Sequence, residues 1–358
     1  MRQLLLLLLF LAISAGIKAQ IQDSVDVIDT IKVVSSADNQ QAEKLYNEGV
    51  ALFNQGKGSE AIAKFNDAIK LKPTFDKAYL NRASVKLDME KYSEAIKDYN
   101  NCLTLKPNSK AYFGRGLARY KLEDYEGAMS DFSTTIDSAN YENLAQAYYY
   151  RGCIYFEKAD YQNAVKDYSK AIEVKPDYAY AYNDRGSTKR KLELYEEALA
   201  DYRMAIKHNP NMAFTFNNMG SLKKKMGDLQ GAIADFTEAI RLKPDYYIAY
   251  NNRGITYLEL KNNIKAITDF SKAIEINKEY SFAYNNRGNA YYREKNYQLA
   301  VKDYDEAIKL DPNYGYAYLN RGISKEMLRD EKGACEDWNK AMELGIESAK
   351  SYIQNQCR

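Results

Sequence analysis

The stretch Ala249–Gly254 reads AYNNRG, and Ala283–Gly288 reads AYNNRG again, 34 residues later. Steps of the same size from Gly254 reach Gly288 and Gly322 in one direction and Gly220, Gly186 and Gly152 in the other. Two irregular steps lead on to Gly116 and Ala83, and a regular one to Gly49. A fixed period in this range marks a chain built from copies of one supersecondary unit, each burying its apolar face against the next. Nine units follow, at residues 42–75, 76–108, 109–144, 145–178, 179–212, 213–246, 247–280, 281–314 and 315–345. Places are counted here from the first residue of each unit, so Gly254 holds the eighth place.

Within unit seven, Tyr250, Gly254 and Tyr257 form one stripe at helical spacing, with Ile255 and Leu258 adding apolar surface. Asn262 and Asn263 interrupt it, and a second helical run follows through Ala266, Ile267, Phe270, Ala273 and Ile274. The chain's six prolines, Pro73, Pro107, Pro176, Pro210, Pro244 and Pro312, all stand just past such a second run, where a helix must stop. The pattern predicts two antiparallel helices per unit. It resembles the tetratricopeptide repeat (TPR), whose aromatic, Leu-Gly, Tyr, Ala, Phe and Pro positions correspond here to Tyr250, Arg253-Gly254, Tyr257, Ala266 and Phe270. The resemblance spans about residues 42–345. Departures are Lys278 in place of Pro, Arg where the family usually has Leu, and a third unit lengthened through SANYENL, Ser138–Leu144. It implies an all-α fold: a right-handed superhelical solenoid of about nine TPR helix pairs, closed by a C-terminal capping helix in residues 346–358.

Gly254 is expected to face Ala266, because only small side chains let two helix backbones approach closely. Arg82, Arg115, Arg151, Arg185, Arg253, Arg287 and Arg321 hold the seventh place, and sixteen residues later stand Asp98, Asp131, Asp167, Asp201, Asp269, Asp303 and Asp337. Unit one has Glu48 and Lys64 there, with the signs exchanged. That exchange predicts structural ion pairs between the two helices of a unit, Arg253 with Asp269 and Arg287 with Asp303 among them. Unit six has Met219 opposite Asp235, so its pair is missing or borrowed from a neighbour.

The resemblance puts the first helix of each unit on the concave side. Asn183, Asn217, Asn251 and Asn285 hold the fifth place there, and Asn47, Asn81, Asn218, Asn252, Asn286 and Asn320 the sixth. An Asn side chain both donates and accepts. A ladder of them is expected to face the groove and grip the backbone of an extended peptide. Some members of the family use an Asn ladder that way. Tyr180, Phe214, Phe282 and Tyr316 near the helix starts, with Arg190, Lys191, Lys224 and Lys225 further along, complete the expected partner-binding groove. The Lys and Arg clamp by which some members hold acidic chaperone tails is absent, since the fifth place is never Lys and the sixth never Arg.

The start, MRQLLLLLLFLAISAGIKAQ, has one early charge, an apolar run from Leu4 to Ile17 and Ala19 before Gln20. This layout predicts an export signal in residues 1–19, cleaved after Ala19, and a mobile leader in residues 20–41. The run is shorter than the ~20 residues a spanning helix needs. The expected setting is exported, either periplasmic or extracellular, with association to the cell envelope in view. Arg2 and Lys18 account for the whole net charge of +2, so the rest of the chain balances and offers no basic face for nucleic acid.

One His, His208, cannot build a His-rich metal site, and no Gly-rich phosphate loop follows a strand. Most carboxylates recur at repeated places, which suits helix pairing rather than a unique catalytic group. No metal or cofactor is expected, and no enzyme. Cys102 and Cys153 sit at small or apolar places and are expected as buried thiols. Cys335 and Cys357 lie eleven residues either side of residue 346, where the last turn falls, so a disulfide is expected to staple the cap. Trp338, the only Trp, is expected beneath it. The functional expectation is a non-catalytic scaffold that binds a protein or peptide partner and takes part in a multi-protein envelope complex. The alternatives are a glycan-binding or enzyme-accessory role, and self-assembly.

Overall fold

The computed structural model describes residues 35–138 and 141–357. The expected export signal and the leader up to residue 34 lie outside the described residues. Among the described residues nineteen α-helices follow one another without a strand. They are α1 (Ser36–Asn54), α2 (Gly58–Leu71), α3 (Asp76–Asp88), α4 (Tyr92–Leu105), α5 (Ser109–Lys121), α6 (Tyr125–Asp137), α7 (Leu144–Glu157), α8 (Tyr161–Val174), α9 (Ala179–Lys191) and α10 (Tyr195–His208). Then come α11 (Ala213–Lys225), α12 (Leu229–Leu242), α13 (Tyr247–Glu259), α14 (Asn263–Ile276), α15 (Ser281–Arg293), α16 (Tyr297–Leu310), α17 (Gly315–Met327), α18 (Glu331–Glu343) and α19 (Ala349–Gln356). The extra length of unit three holds a short 3-10 turn at Tyr141–Asn143. Helix α1 begins at Ser36, capped by the Ser35 hydroxyl, so residues 36–41 are helical rather than part of a leader. The chain divides into two compact bodies, one up to Arg151 and one from Gly152 on.

Each first helix ends the same way. The residue at the fifteenth place takes the left-handed conformation: Glu90, Glu123, Ala159, Glu193, Lys261, Lys295 and Arg329, with Gly56 and Gly227 in units one and six. The next amide reaches back five residues, as in Lys91 N–H to the Lys86 carbonyl at 2.8 Å and Asn262 to Tyr257 at 2.8 Å. This closure satisfies carbonyls that the helix end would leave open. Asp124, Asp160, Asp228 and Asp330 then cap the second helix of their units through the side chain.

Small and aromatic residues alternate across each helix pair. Alanines at the third, twentieth and twenty-seventh places are buried, as Ala249, Ala266 and Ala273 are in unit seven. The aromatic at the twenty-fourth place is buried: Phe65, Tyr99, Phe132, Tyr168, Tyr202, Phe236, Phe270, Tyr304 or Trp338. Each such ring contributes about 2–3 kcal/mol by area. The eighth-place glycine exists for this ring. A Cβ on Gly254 would sit 2.7 Å from Phe270 Cε1, so the expected contact with Ala266 is corrected to one with Phe270. Gly254→Leu is expected to cost about 1–3 kcal/mol by overpacking, read as a lowered Tm.

At the third place Lys44 and Thr215 replace the alanine in units one and six, and the twenty-seventh place has two exceptions of its own. Cys102 and Thr135 fill the twenty-seventh place of units two and three; the Thr135 hydroxyl donates to the Asp131 carbonyl at 2.9 Å. Cys102 is buried, which pushes its thiol up to about 11, whereas Cys153 is half-buried.

The C-terminal helix α19 packs on α18. Trp338 is buried and stacks on Tyr352 with ring centroids 5.1 Å apart, among Leu319, Ala341 and Ala349. Cys335 and Cys357 are bonded, with sulfurs 2.04 Å apart. The capping helix is Ala349–Gln356, since Ile346 and the left-handed Gly345 form the turn. Solenoid ends need such a modified unit to cover the last apolar face.

Candidate functional site

The motif Ala-Tyr-Asn-Asn-Arg-Gly can be followed residue by residue on the first helices of the second body. Arg253 spans three helices. Its Nε and Nη2 donate to both oxygens of Asp269 at 2.8 Å, and its Nη1 donates to Thr237 Oγ1 of the preceding unit at 2.9 Å. Arg287 does the same with Asp303 (2.8 and 2.7 Å) and Ser271 (3.1 Å), and Arg321 with Asp337 and Asp305. Arg185 pairs with Asp201 and Ser169. In the first body Arg82 holds Asp98 and Asn66, and Arg115 holds Asp131 and Asn100. Glu48 and Lys64 form the reversed pair at 2.7 Å.

A second cation joins some of these carboxylates from the eleventh place. Lys86 reaches Asp98 at 2.9 Å, Lys189 reaches Asp201 at 3.0 Å and Lys325 reaches Asp337 at 2.8 Å. Planar forks of this kind set angle as well as distance. Each Arg also lies over the Tyr three residues earlier, as Arg253 does over Tyr250 at 5.6 Å from the ring centroid. The signal for that contact was the Tyr-x-x-Arg spacing, and the signal for the third helix was the run of Asn, Ser, Thr and Asp at the twenty-fifth place.

The asparagines do something other than expected. Asn183, Asn217, Asn251 and Asn285 are buried, at 3, 6, 4 and 4% exposure. Their carbonyl oxygens accept from the sixth-place amide of the next unit. Asn218 donates to Asn183 at 3.3 Å, Asn252 to Asn217 at 2.9 Å, Asn286 to Asn251 at 3.0 Å and Asn320 to Asn285 at 3.0 Å. The fifth-place asparagines are therefore rungs between neighbouring first helices and do not face an open groove. Asn218, Asn252, Asn286 and Asn320 stay half-buried beside them, while Asn47 of unit one is exposed. Asn81 makes the equivalent bond to the Tyr46 hydroxyl at 2.9 Å. Buried amides left without partners would each cost about 1–3 kcal/mol, so the ladder satisfies itself before any ligand arrives.

The second-place aromatics remain open. Tyr180, Phe282 and Tyr316 are 49, 49 and 57% exposed, while Phe214 is half-buried and stacks on Tyr180 with centroids 6.0 Å apart. Phe282 also packs in a tilted arrangement near Tyr280 and Tyr314, with centroids 5.7 and 5.1 Å away. Of the cations, Lys224 is spent on Glu259 of the next unit at 3.0 Å, and Lys225 lies over the Tyr195 ring and 3.8 Å from Glu193. Arg190 is half-buried at the end of α9 and Lys191 is exposed beside it.

Among the described residues no group of three or more His, Cys, Asp or Glu is placed to hold a metal, and no helix is long and apolar enough to cross a membrane.

A family model described as Tetratricopeptide repeat matches residues 76–109, 145–178, 179–212, 247–280 and 281–314, and one described as TPR repeat matches 220–261. Together they cover more than half of the chain. The Hsp70-Hsp90 organizing protein of Triticum aestivum is 31% identical over 110 residues, 30% of this chain and 19% of that protein. A DnaJ homolog subfamily C member 7 homolog of Schizosaccharomyces pombe is 34% identical over 110 residues, 29% of this chain and 23% of that protein. The chain thus spans about a fifth of the length of these curated relatives. Among solved structures, the C-terminal part of a TPR repeat-containing protein from Cytophaga hutchinsonii is 20% identical with a TM-score of 0.55, over 67% of this chain and 98% of that one. PilF of Pseudomonas aeruginosa is 20% identical with a TM-score of 0.54, over 60% of this chain and 98% of that one. The likeness to both is one of fold. With the period, the helix pairs and the family matches in agreement, the chain belongs to the tetratricopeptide repeat family.

Proposed function

We propose that this protein is a non-catalytic interaction scaffold whose second body holds an extended protein segment along the first helices of its units. The observation that carries this reading is the row of second-place aromatics. Tyr180, Phe282 and Tyr316 keep about half of their surface in water although the buried ring of each unit already fills its core. Aromatic side chains left open in this way supply large contact area at low entropic cost. Arg190 and Lys191 favour carboxylates at one end of that segment, and Lys224 joins them when its exposed pair with Glu259 opens. An exposed pair of that kind is worth only about 0–1 kcal/mol. The outer amide edges of Asn218, Asn252, Asn286 and Asn320 add hydrogen bonds to peptide backbone, beyond the rungs they already make.

The family supports this reading, since a relative is named Hsp70-Hsp90 organizing protein. The sequence of residues 1–19 supports an exported setting, periplasmic or extracellular, within an envelope complex. The test is selection from a random peptide display library on the immobilised protein, repeated with Phe282→Ala/Tyr316→Ala. Enriched peptides that lose binding to the variant support the site. Equal binding to both proteins removes it, and enrichment only on a glycan array transfers the site to carbohydrate. N-terminal sequencing of the exported protein tests the cleavage: a start other than Gln20 overturns it.

A further inference from the structure

We infer that the junction between units five and six is a soft joint, the one place in the second body where neighbouring units are held together without being held at a fixed angle. Three observations meet there. The first is the missing fork. At the junctions into units five, seven, eight and nine, the seventh-place Arg bonds its own unit's Asp and the twenty-fifth place of the unit before. In unit six that residue is Met219, and Asp235 keeps only Lys223, at 2.7 Å. The twenty-fifth place of unit five is Arg203, which is exposed and is felt at Asp235 only through its charge.

The second is the Asn rung: Asn218 to Asn183 is 3.3 Å, against 2.9–3.0 Å for the other three. The third is a pair of buried polar atoms that make no hydrogen bond, His208 Nε2 at the end of α10 and Thr215 Oγ1 in the first turn of α11. Thr215 stands where the other units from two to nine have Ala.

What remains at this junction is apolar. Met219 packs with Ala198, Leu199, Tyr202 and Leu222. Apolar contact is non-directional, so it keeps two surfaces together while letting them slide, and Met is the most adaptable side chain for that purpose. Forked guanidinium bonds do the reverse. The joint therefore stays closed and dry while the units on either side change angle, whatever the groove binds.

Amide hydrogen exchange on the full chain tests this, because the repeat supplies its own control. Residues 203–216, at the end of α10 and the start of α11, are compared with residues 271–284 at the same places two units later. The joint predicts exchange about tenfold faster in the first segment, the change expected when opening loses one net hydrogen bond. Arg203→Ser/Met219→Arg rebuilds the fork as it stands at Ser271 and Arg287, and should bring the two segments level. Met219→Leu should leave the difference as it is. Equal protection of the two segments in the unaltered protein overturns the joint, even if the double variant does not fold. So does a folded double variant whose exchange is unchanged.

Discussion

The two bodies solve the same contact with different chemistry. Where the fifth place of one unit meets the sixth place of the next, the second body sets amide against amide, as in Asn217 and Asn252. In the first body the junction of units three and four sets ring against ring there: Phe113 lies 6.4 Å from Tyr150, which also stacks on Phe132 at 5.8 Å. Between units one and two the contact is mixed, an Asn81 amide on the Tyr46 hydroxyl. The register is shared because other residues set it. The seventh-place Arg and the eighth-place small residue are present in both bodies, so the fifth and sixth places are released to specialise. A self-satisfied amide ladder tolerates water at its edge, and a ring cluster does not.

Breaking the shared element should give the largest effects, and should rank the bodies. Asp98→Ala takes the buried carboxylate from both Arg82 and Lys86, leaving Lys86 only Glu94 at 3.3 Å, whereas Asp269→Ala takes it from Arg253 alone. Removing one partner of a buried pair costs about 3–5 kcal/mol. Chemical denaturation should place Asp98→Ala at the upper end and Asp269→Ala below it. Reducing the Cys335–Cys357 bond removes a constraint that only the second body has. It should cost about 3 kcal/mol on chain-entropy grounds, and it should appear as a change in Trp338 emission, since that ring lies against Tyr352 of the stapled helix.

The rungs should matter less. Asn252→Ala is expected to cost about 1–2 kcal/mol by leaving Asn217 short of a donor, while Asn217→Leu/Asn252→Leu, which converts the rung toward the first body's chemistry, should be nearly neutral in Tm.

The smallest effect concerns pH. Burial raises the Asp235 carboxyl above its usual range, against the pull of Lys223. A raised carboxyl favours the protonated form in the fold. Its contribution to stability is therefore full below the usual carboxylate pKa and fades as pH climbs through the raised one. NMR titration of Asp235 should show that pKa falling in Arg203→Ser/Met219→Arg.

What the sequence of the chain alone reveals divides along a physical line. The period, the helix pairs and the sixteen-residue Arg–Asp spacing are properties of one unit, so a pattern within the unit exposes them. The cysteines either side of residue 346 could be placed for the same reason, since one turn relates them. The direction of the fifth-place asparagines is not a property of one unit. It depends on how closely the next first helix approaches, so the sequence points Asn183, Asn217, Asn251 and Asn285 at the groove while the structure buries them as rungs. The aromatics Tyr180, Phe282 and Tyr316 remain available because they stand one helical turn away from that approach. The partner of Gly254 was misplaced by one turn on the second helix, since a backbone-to-backbone argument points to Ala266 while the ring of Phe270 fills the space first.

The left-handed residue that ends every first helix carries a further consequence. Seven of the nine are not glycine, and an ordinary L-residue in that basin sits roughly 1–2 kcal/mol uphill. Chain growth by duplication copies that handicap along with the helices. A lone helical hairpin excised from this protein would bear it with no neighbour to offset it, so the smallest fragment able to fold on its own is set by how many junctions it retains, not by how many residues.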